Sequence, residues 1–192
     1  MISAKLGHFL DKPLAPLAKR ISINPNALSV LGFLITIAAA VTIPSDPVAG
    51  GFLILLGGIF DMLDGIVARA NGKSTKFGAF LDSTLDRYSD SFIFLAIVWY
   101  FFGNYDLAGI LFTIGGLIGT LLISYVRARA EGLGVECRVG LIERPERVVL
   151  LAAGCIFGWL SYVVVVLFLF SHITVIQRVL HVYKATKIKF PD

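Results

Sequence analysis

Charge is scarce in this chain. Only 16% of its 192 residues are Asp, Glu, Lys or Arg, and long stretches carry none. A soluble domain with a large core needs a charged coat. The scarcity, with a hydrophobic fraction of 57% and a mean hydropathy of +0.83, therefore points to an integral membrane protein. Cysteine is equally scarce: Cys137 lies in a charged segment and Cys155 in an apolar one, which suggests neither a disulfide nor a cysteine metal cluster. The segment before Ala27 lacks the short apolar core and small-residue cleavage site of a secretory signal, so no cleaved leader is expected. No internal repeat or low-complexity tract is present, and the connections are too short for a second domain, so residues 1–192 are read as one domain. At a net charge of +4, no nucleic-acid partner is expected.

What is there is apolar chain punctuated by turns. Residues 27–43 and 107–125 are uncharged and close to the ~20 residues that cross a bilayer. Such spans must satisfy their own backbone, which makes them helices. "PSDP" at 44–47, "GNYD" at 103–106 and "GWLSY" around Gly158 alternate with charged segments beginning near Arg69, Arg127 and Arg178. All 17 lysines and arginines lie in those charged segments or in the N-terminal tail, while the turns hold only Asp46 and Asp106. Positive residues concentrate in cytoplasmic loops. The pattern predicts an all-α bundle of six transmembrane helices over residues 27–184, in the cell membrane, with both termini cytoplasmic. The uncharged run over 148–177 fits one long span or two short ones. A hairpin turning at 158–161 keeps Lys184, Lys187 and Lys189 inside, with arms of about 20 residues and with Trp159 and Tyr162 as outer anchors. In residues 1–23, Leu6, Phe9, Leu10, Leu14, Leu17 and Ile21 recur at helical spacing among Lys5, Lys12, Lys19 and Arg20, which predicts an amphipathic interfacial helix.

Against this background, "DMLDGIVARANGKSTKFGAFLDSTLD" from Asp61 to Asp86 is anomalous. On a helix, residues three and four apart share a face, so Asp61, Asp64, Gly65, Ala68 and Arg69 form one stripe. After the polar turn, Gly78, Asp82 and Asp86 form another, which Asp90 extends by a turn. Four like charges beside a low-dielectric region need compensation. Solvated helix ends paired to Arg69 and Arg87 would supply some. Oxygen ligands without His or Cys favour Mg²⁺ or Mn²⁺ over zinc, and magnesium leaves coordination positions open for a diphosphate substrate. Acids in a small cation transporter would lie nearer the midplane and on several helices, which is not the pattern here.

Written as D-x2-D-G-x2-A-R-x8-G-x3-D-x3-D, the stretch resembles the signature of the CDP-alcohol phosphotransferases, with every fixed position filled. The resemblance implies a membrane enzyme that displaces CMP from a CDP-linked lipid with the hydroxyl of a small alcohol. It implies that Asp61, Asp64, Asp82 and Asp86 hold divalent ions, two in number, and that Asp86 is also the general base. Gly65, Ala68 and Arg69 would line the CDP site with Asp61, Asp64 and Gly78, and Asn26 of "NPNALS" would either join them or cap the first helix. A homodimer and a cytoplasmic active site are implied too.

The acceptor should be read by "SYVRARAEGLGVECRVGLIERPERV" from Ser124 to Val148, whose arginines suit a phosphorylated alcohol. The stretch is similar to members of the family that use inositol 1-phosphate, with CDP-diacylglycerol or, in archaea, CDP-archaeol as donor. On that likeness Ser124, Arg127 and Arg129 would contact the acceptor phosphate, assisted by Arg144 or Arg147. Glycerol 3-phosphate is the competing acceptor, since it presents the same phosphate. Binding of anionic membrane lipids is the other use for such a cluster.

Overall fold

The computed structural model describes residues 23–187. Among these are six helices and no strand: α1 (Pro25–Thr42), α2 (Pro47–Ala70), α3 (Lys76–Gly103), α4 (Leu107–Gly132), α5 (Arg144–Phe157) and α6 (Leu160–Lys187). The amphipathic segment expected over 1–23 lies, but for its last residue, outside the described residues. Four helices, α1, α2, α4 and α6, are long and apolar enough to cross a membrane, as a multi-pass protein requires. α3 carries Asp82, Asp86 and Arg87 in its first half and Asp90 at its midpoint, and α5 has 14 residues, about 21 Å at the usual helical rise.

The turns work through their caps. Asp46 Oδ1 accepts from Ala49 N at 3.0 Å ahead of Pro47, and Asp106 Oδ1 accepts from Gly109 N at 2.8 Å. The first helix is capped by Asn24, whose Oδ1 accepts from Asn26 N at 3.0 Å. Asn26 is thus in the first turn and not the cap, because Pro25 occupies the first helical position. The long run over 148–177 does break: Gly158, at φ 70°, ends α5 in the left-handed region, and Trp159 N donates to Gly154 O at 2.9 Å. The arms are unequal, however, 14 residues against 28, because α5 starts late at Arg144 after an irregular segment.

Phe94, Ile97 and Phe101 of α3, Leu151 of α5, and Val164 and Leu167 of α6 fill the core. Large apolar side chains such as Val41, Phe52, Trp99, Leu111 and Tyr162 point outward, a belt suited to lipid. Small residues set the closest helix approaches. A Cβ at Gly57 of α2 would lie 2.7 Å from Thr36 Oγ1 of α1, so this crossing tolerates only hydrogen there.

Residues 133–143 return from α4 to α5 without regular structure, yet Cys137 and Ile142 within them are buried. α6 holds the segment through its side chains. Thr174 Oγ1 accepts from Leu141 N at 3.2 Å and Ile142 N at 3.3 Å, and Arg178 Nε donates to Val139 O at 2.9 Å. Thr174→Val keeps the shape and leaves a buried N–H without its acceptor. It is expected to cost about 1–3 kcal/mol, visible as a lowered thermal midpoint in detergent; an unchanged midpoint would show that the segment is held by packing alone.

Candidate active site

The acids converge, but not as two directly packed stripes. α1 packs against both α2 and α3, while α2 and α3 touch each other little, so their carboxylates face one another across a cleft. One oxygen each from Asp61, Asp82 and Asp86 lies within 4.8 Å of the others. Asp64 turns toward α1, where Ser29 Oγ donates to its Oδ2. Asp90 lies deeper, with 4% exposure.

Two arginines from α5 enter the same cleft. The sequence E-R-P-E starts this helix, with Glu143 N donating to Glu146 Oε2 at 3.1 Å, and the cap puts Arg144 in the first turn with Arg147 three residues on, on the same side. Arg144 Nη1 contacts Asp61 Oδ2, lies 2.7 Å from Asp86 Oδ1, and its Nε is 3.9 Å from Asp90 Oδ1. Arg147, 2% exposed, pairs through Nη2 with Asp90 Oδ2 at 2.9 Å. Arg87, expected as a partner for the acids, does reach Asp86 Oδ2 at 3.3 Å.

Two cavities open on either side of this cluster. The smaller, about 180 Å³, is lined by Asn26, Asp64, Gly65, Ala68, Arg69 and Gly78, all singled out from the sequence, and also by Ser29, Lys73, Ser74, Thr75 and Asp82. Its glycines are there for space: a Cβ at Gly78 would lie 2.9 Å from Asn26 Oδ1, and one at Gly65 3.1 Å from Arg69 Nη1. The larger cavity, about 750 Å³, is lined on one side by Asp86 and Arg87 and on the other by Ser124, Arg127, Arg144, Arg147 and Arg178. Arg129 is exposed and not among its lining residues, since two positions along α4 from Arg127 is the far side of the helix. Arg127 Nε is held by Glu131 Oε1 at 2.9 Å.

Sequence reasoning did not single out Ser29 or Arg178. Arg178 is 2% exposed, and its Nε and Nη1 donate to carbonyls, Val139 O and Ile123 O, rather than to carboxylates. A lone arginine after a long uncharged run was the available signal, since buried charge inside a membrane helix is costly.

The donor set suits a hard divalent cation. It is all carboxylate oxygen, and Asp86 Oδ1 is buried yet accepts no hydrogen bond, its contact with Arg144 being charge pairing without hydrogen-bond geometry.

With this site on this all-helical frame, the chain belongs to the CDP-alcohol phosphatidyltransferase family, whose model matches residues 22–185. It is a phosphotransferase of phospholipid biosynthesis. Among its relatives, archaetidylinositol phosphate synthase of Methanothermobacter thermautotrophicus is 39% identical over 179 residues, 90% of this chain and 89% of that protein. Phosphatidylinositol phosphate synthase of Mycobacteroides abscessus is 40% identical over 152 residues, 78% of this chain and 69% of that one. The crystal structure of Mycobacterium tuberculosis phosphatidylinositol phosphate synthase with CDP-DAG bound matches with a TM-score of 0.81 at 34% identity, covering 90% of this chain and 93% of that chain. The same enzyme in complex with manganese and citrate matches at 0.80 and 34%, covering 90% and 88%.

Proposed function

We propose that this enzyme transfers the phosphatidyl or archaetidyl group of a CDP-linked lipid to a hydroxyl of inositol 1-phosphate, releasing CMP. The observation that carries the reading is the acid cluster set between two unlike cavities, one with small residues and Arg69, the other rich in arginine. The names of the archaeal and mycobacterial relatives, archaetidylinositol phosphate synthase and phosphatidylinositol phosphate synthase, support this acceptor over glycerol 3-phosphate. The six helices act as one membrane domain with the cleft at the cytoplasmic face, in keeping with the distribution of lysine and arginine.

Asp61, Asp64, Asp82 and Asp86 would hold two divalent ions, Mg²⁺ or Mn²⁺. When bound, these supply charge neutralisation for the diphosphate and the departing CMP. The nucleotide belongs in the smaller cavity, where Gly65 and Gly78 let it approach the backbone and Arg69 neutralises a phosphate oxygen. The acceptor belongs in the larger, where arginine guanidinium groups match its phosphate. Arg178 suits this role because its hydrogen-bond partners are neutral carbonyls rather than carboxylates. Asp86 lines the acceptor cavity and takes the proton of the attacking hydroxyl. The hydroxyl oxygen bonds to the lipid-bearing phosphorus as that phosphorus releases the bridging oxygen to CMP.

The test is CMP release by the purified enzyme with CDP-lipid and each of inositol 1-phosphate, glycerol 3-phosphate, inositol and serine. Turnover with inositol 1-phosphate should exceed that with the unphosphorylated acceptors by about 10²-fold or more, as expected when buried cationic partners are left unpaired. Preference for glycerol 3-phosphate would sink the inositol assignment, and equal use of inositol would sink the phosphate site. CDP-diacylglycerol and CDP-archaeol, run in parallel, assign the donor chains.

A further inference from the structure

We infer that Asp90, which lies outside the family motif, is a positioning residue that holds the Arg144 guanidinium at the acceptor cavity. This rests on the larger cavity being the acceptor site. Arg144 pairs through Nη1 with Asp61 and Asp86, and its Nε, which has no hydrogen-bond partner, lies 3.9 Å from Asp90, within ion-pair range. Two of the three are shared: Asp61 and Asp86 converge with Asp82 on the point that suits a divalent cation. A cation and a guanidinium compete for those oxygens, and the doubly charged ion wins at equal distance because its attraction is twice as large. Asp90 is outside that convergent set. It is the anchor left to Arg144 when the other two are engaged.

The surroundings of Asp90 make it a firm anchor. It sits one turn below Asp86 on α3, 4% exposed, and its second oxygen takes Arg147 Nη2 at 2.9 Å. Arg147 is 2% exposed, and this is its only ion pair among the described residues. The result is a ladder in which one carboxylate holds two arginines from successive positions of one helix face. α3 and α5 otherwise touch little, so the ladder also sets their spacing. A buried carboxylate between two guanidinium groups is fixed more firmly than a solvated pair, because either partner alone would be left as unpaired buried charge.

Asp90→Asn removes the anchor. Arg144 is then left with Asp61 and Asp86 alone, so it opposes the cation there or, displaced by it, loses its fixed place at the acceptor cavity. In the full-length enzyme, the acceptor KM is expected to rise about tenfold as the guanidinium that meets the acceptor phosphate loses its fixed position, with the CDP-lipid KM changed less than about twofold. Mn²⁺ affinity, read by electron paramagnetic resonance without any acceptor, is expected to fall about fivefold. Because Asp90→Asn also strands the Arg147 charge, Asp90→Asn with Arg147→Met is the second variant. It removes the stranded charge, and the acceptor KM should stay high while the thermal midpoint recovers. A return of the acceptor KM to the wild-type value in the double variant overturns the inference, since Asp90 would then only neutralise Arg147. Equal increases in both KM values with unrecovered thermal stability also overturn it, as the sign of a merely structural strut. If the wild-type enzyme does not use inositol 1-phosphate, the acceptor assignment fails by itself. Mn²⁺ affinity still decides Asp90 in that case, and an unchanged value in Asp90→Asn overturns the anchoring.

Discussion

Asp86→Asn is expected to lower CMP release by about 10³-fold or more while leaving CDP-lipid binding close to the wild-type value. A positioned general base contributes about 10²–10⁴-fold, and the amide can neither accept the hydroxyl proton nor offer a charged ligand. Asp86 is also one of the three carboxylates whose oxygens lie within 4.8 Å of one another, so the loss compounds. Binding of the donor should survive because Asp86 lines the larger cavity, whereas the smaller one is bounded by Asp64 and Asp82. Asparagine has nearly the same volume, so the cleft keeps its shape. The check is single-turnover CMP release beside equilibrium binding of CDP-lipid. Turnover within tenfold of wild type would remove Asp86 as the base, and loss of both binding and turnover would make it a ligand only.

The second large effect is that of the divalent ions. Stripping them with a chelator should abolish turnover, by about 10³-fold or more, because a cation at a transferring phosphoryl group is worth several kcal/mol. Without it the cleft brings a diphosphate toward Asp61, Asp82 and Asp86 with Arg144 as the nearest compensating charge. Mg²⁺ or Mn²⁺ should restore activity, while restoration by zinc alone would contradict an all-oxygen site. A second readout is independent of turnover. An ion present at about 100 times its Kd stabilises the folded chain by about 2.7 kcal/mol, so Mn²⁺ should raise the thermal midpoint. That rise should be lost in Asp61→Asn, and its persistence there would place the ion elsewhere.

Much of the molecule was legible in one dimension. The turns at 44–47 and 103–106 marked helix boundaries, where the structure shows Asp46 and Asp106 capping the helices that follow, and Gly158 broke the 148–177 run because glycine adopts a positive φ without strain. The acid motif was legible because a period of three and four puts chemistry on one helix face, and four acids in so apolar a chain demand compensation. Six of the seven residues expected around the nucleotide line one cavity.

Contacts between helices were less legible, since they depend on which faces meet. Arg129 was grouped with Arg127 by proximity in the sequence, yet α4 turns it away from the cavity. Arg144 and Arg147 were read as an aid to the acceptor, and no local pattern could reveal that they reach three acids about 60 to 80 residues away, because α5 enters the cleft only after the 133–143 segment is pinned by Thr174 and Arg178. Ser29 on Asp64 and Arg178 beside the larger cavity are likewise products of packing.

The sequence by itself determined the membrane class, the helical architecture and the acid-rich reaction site, because hydropathy and helical period act locally and survive in any fold that keeps the helices. Only the tertiary structure decided which charges pair, how one acid cluster comes to separate two cavities, and that Asp90 stands behind Arg144. Those outcomes depend on the distances between helices far apart in the chain, which neither composition nor spacing records.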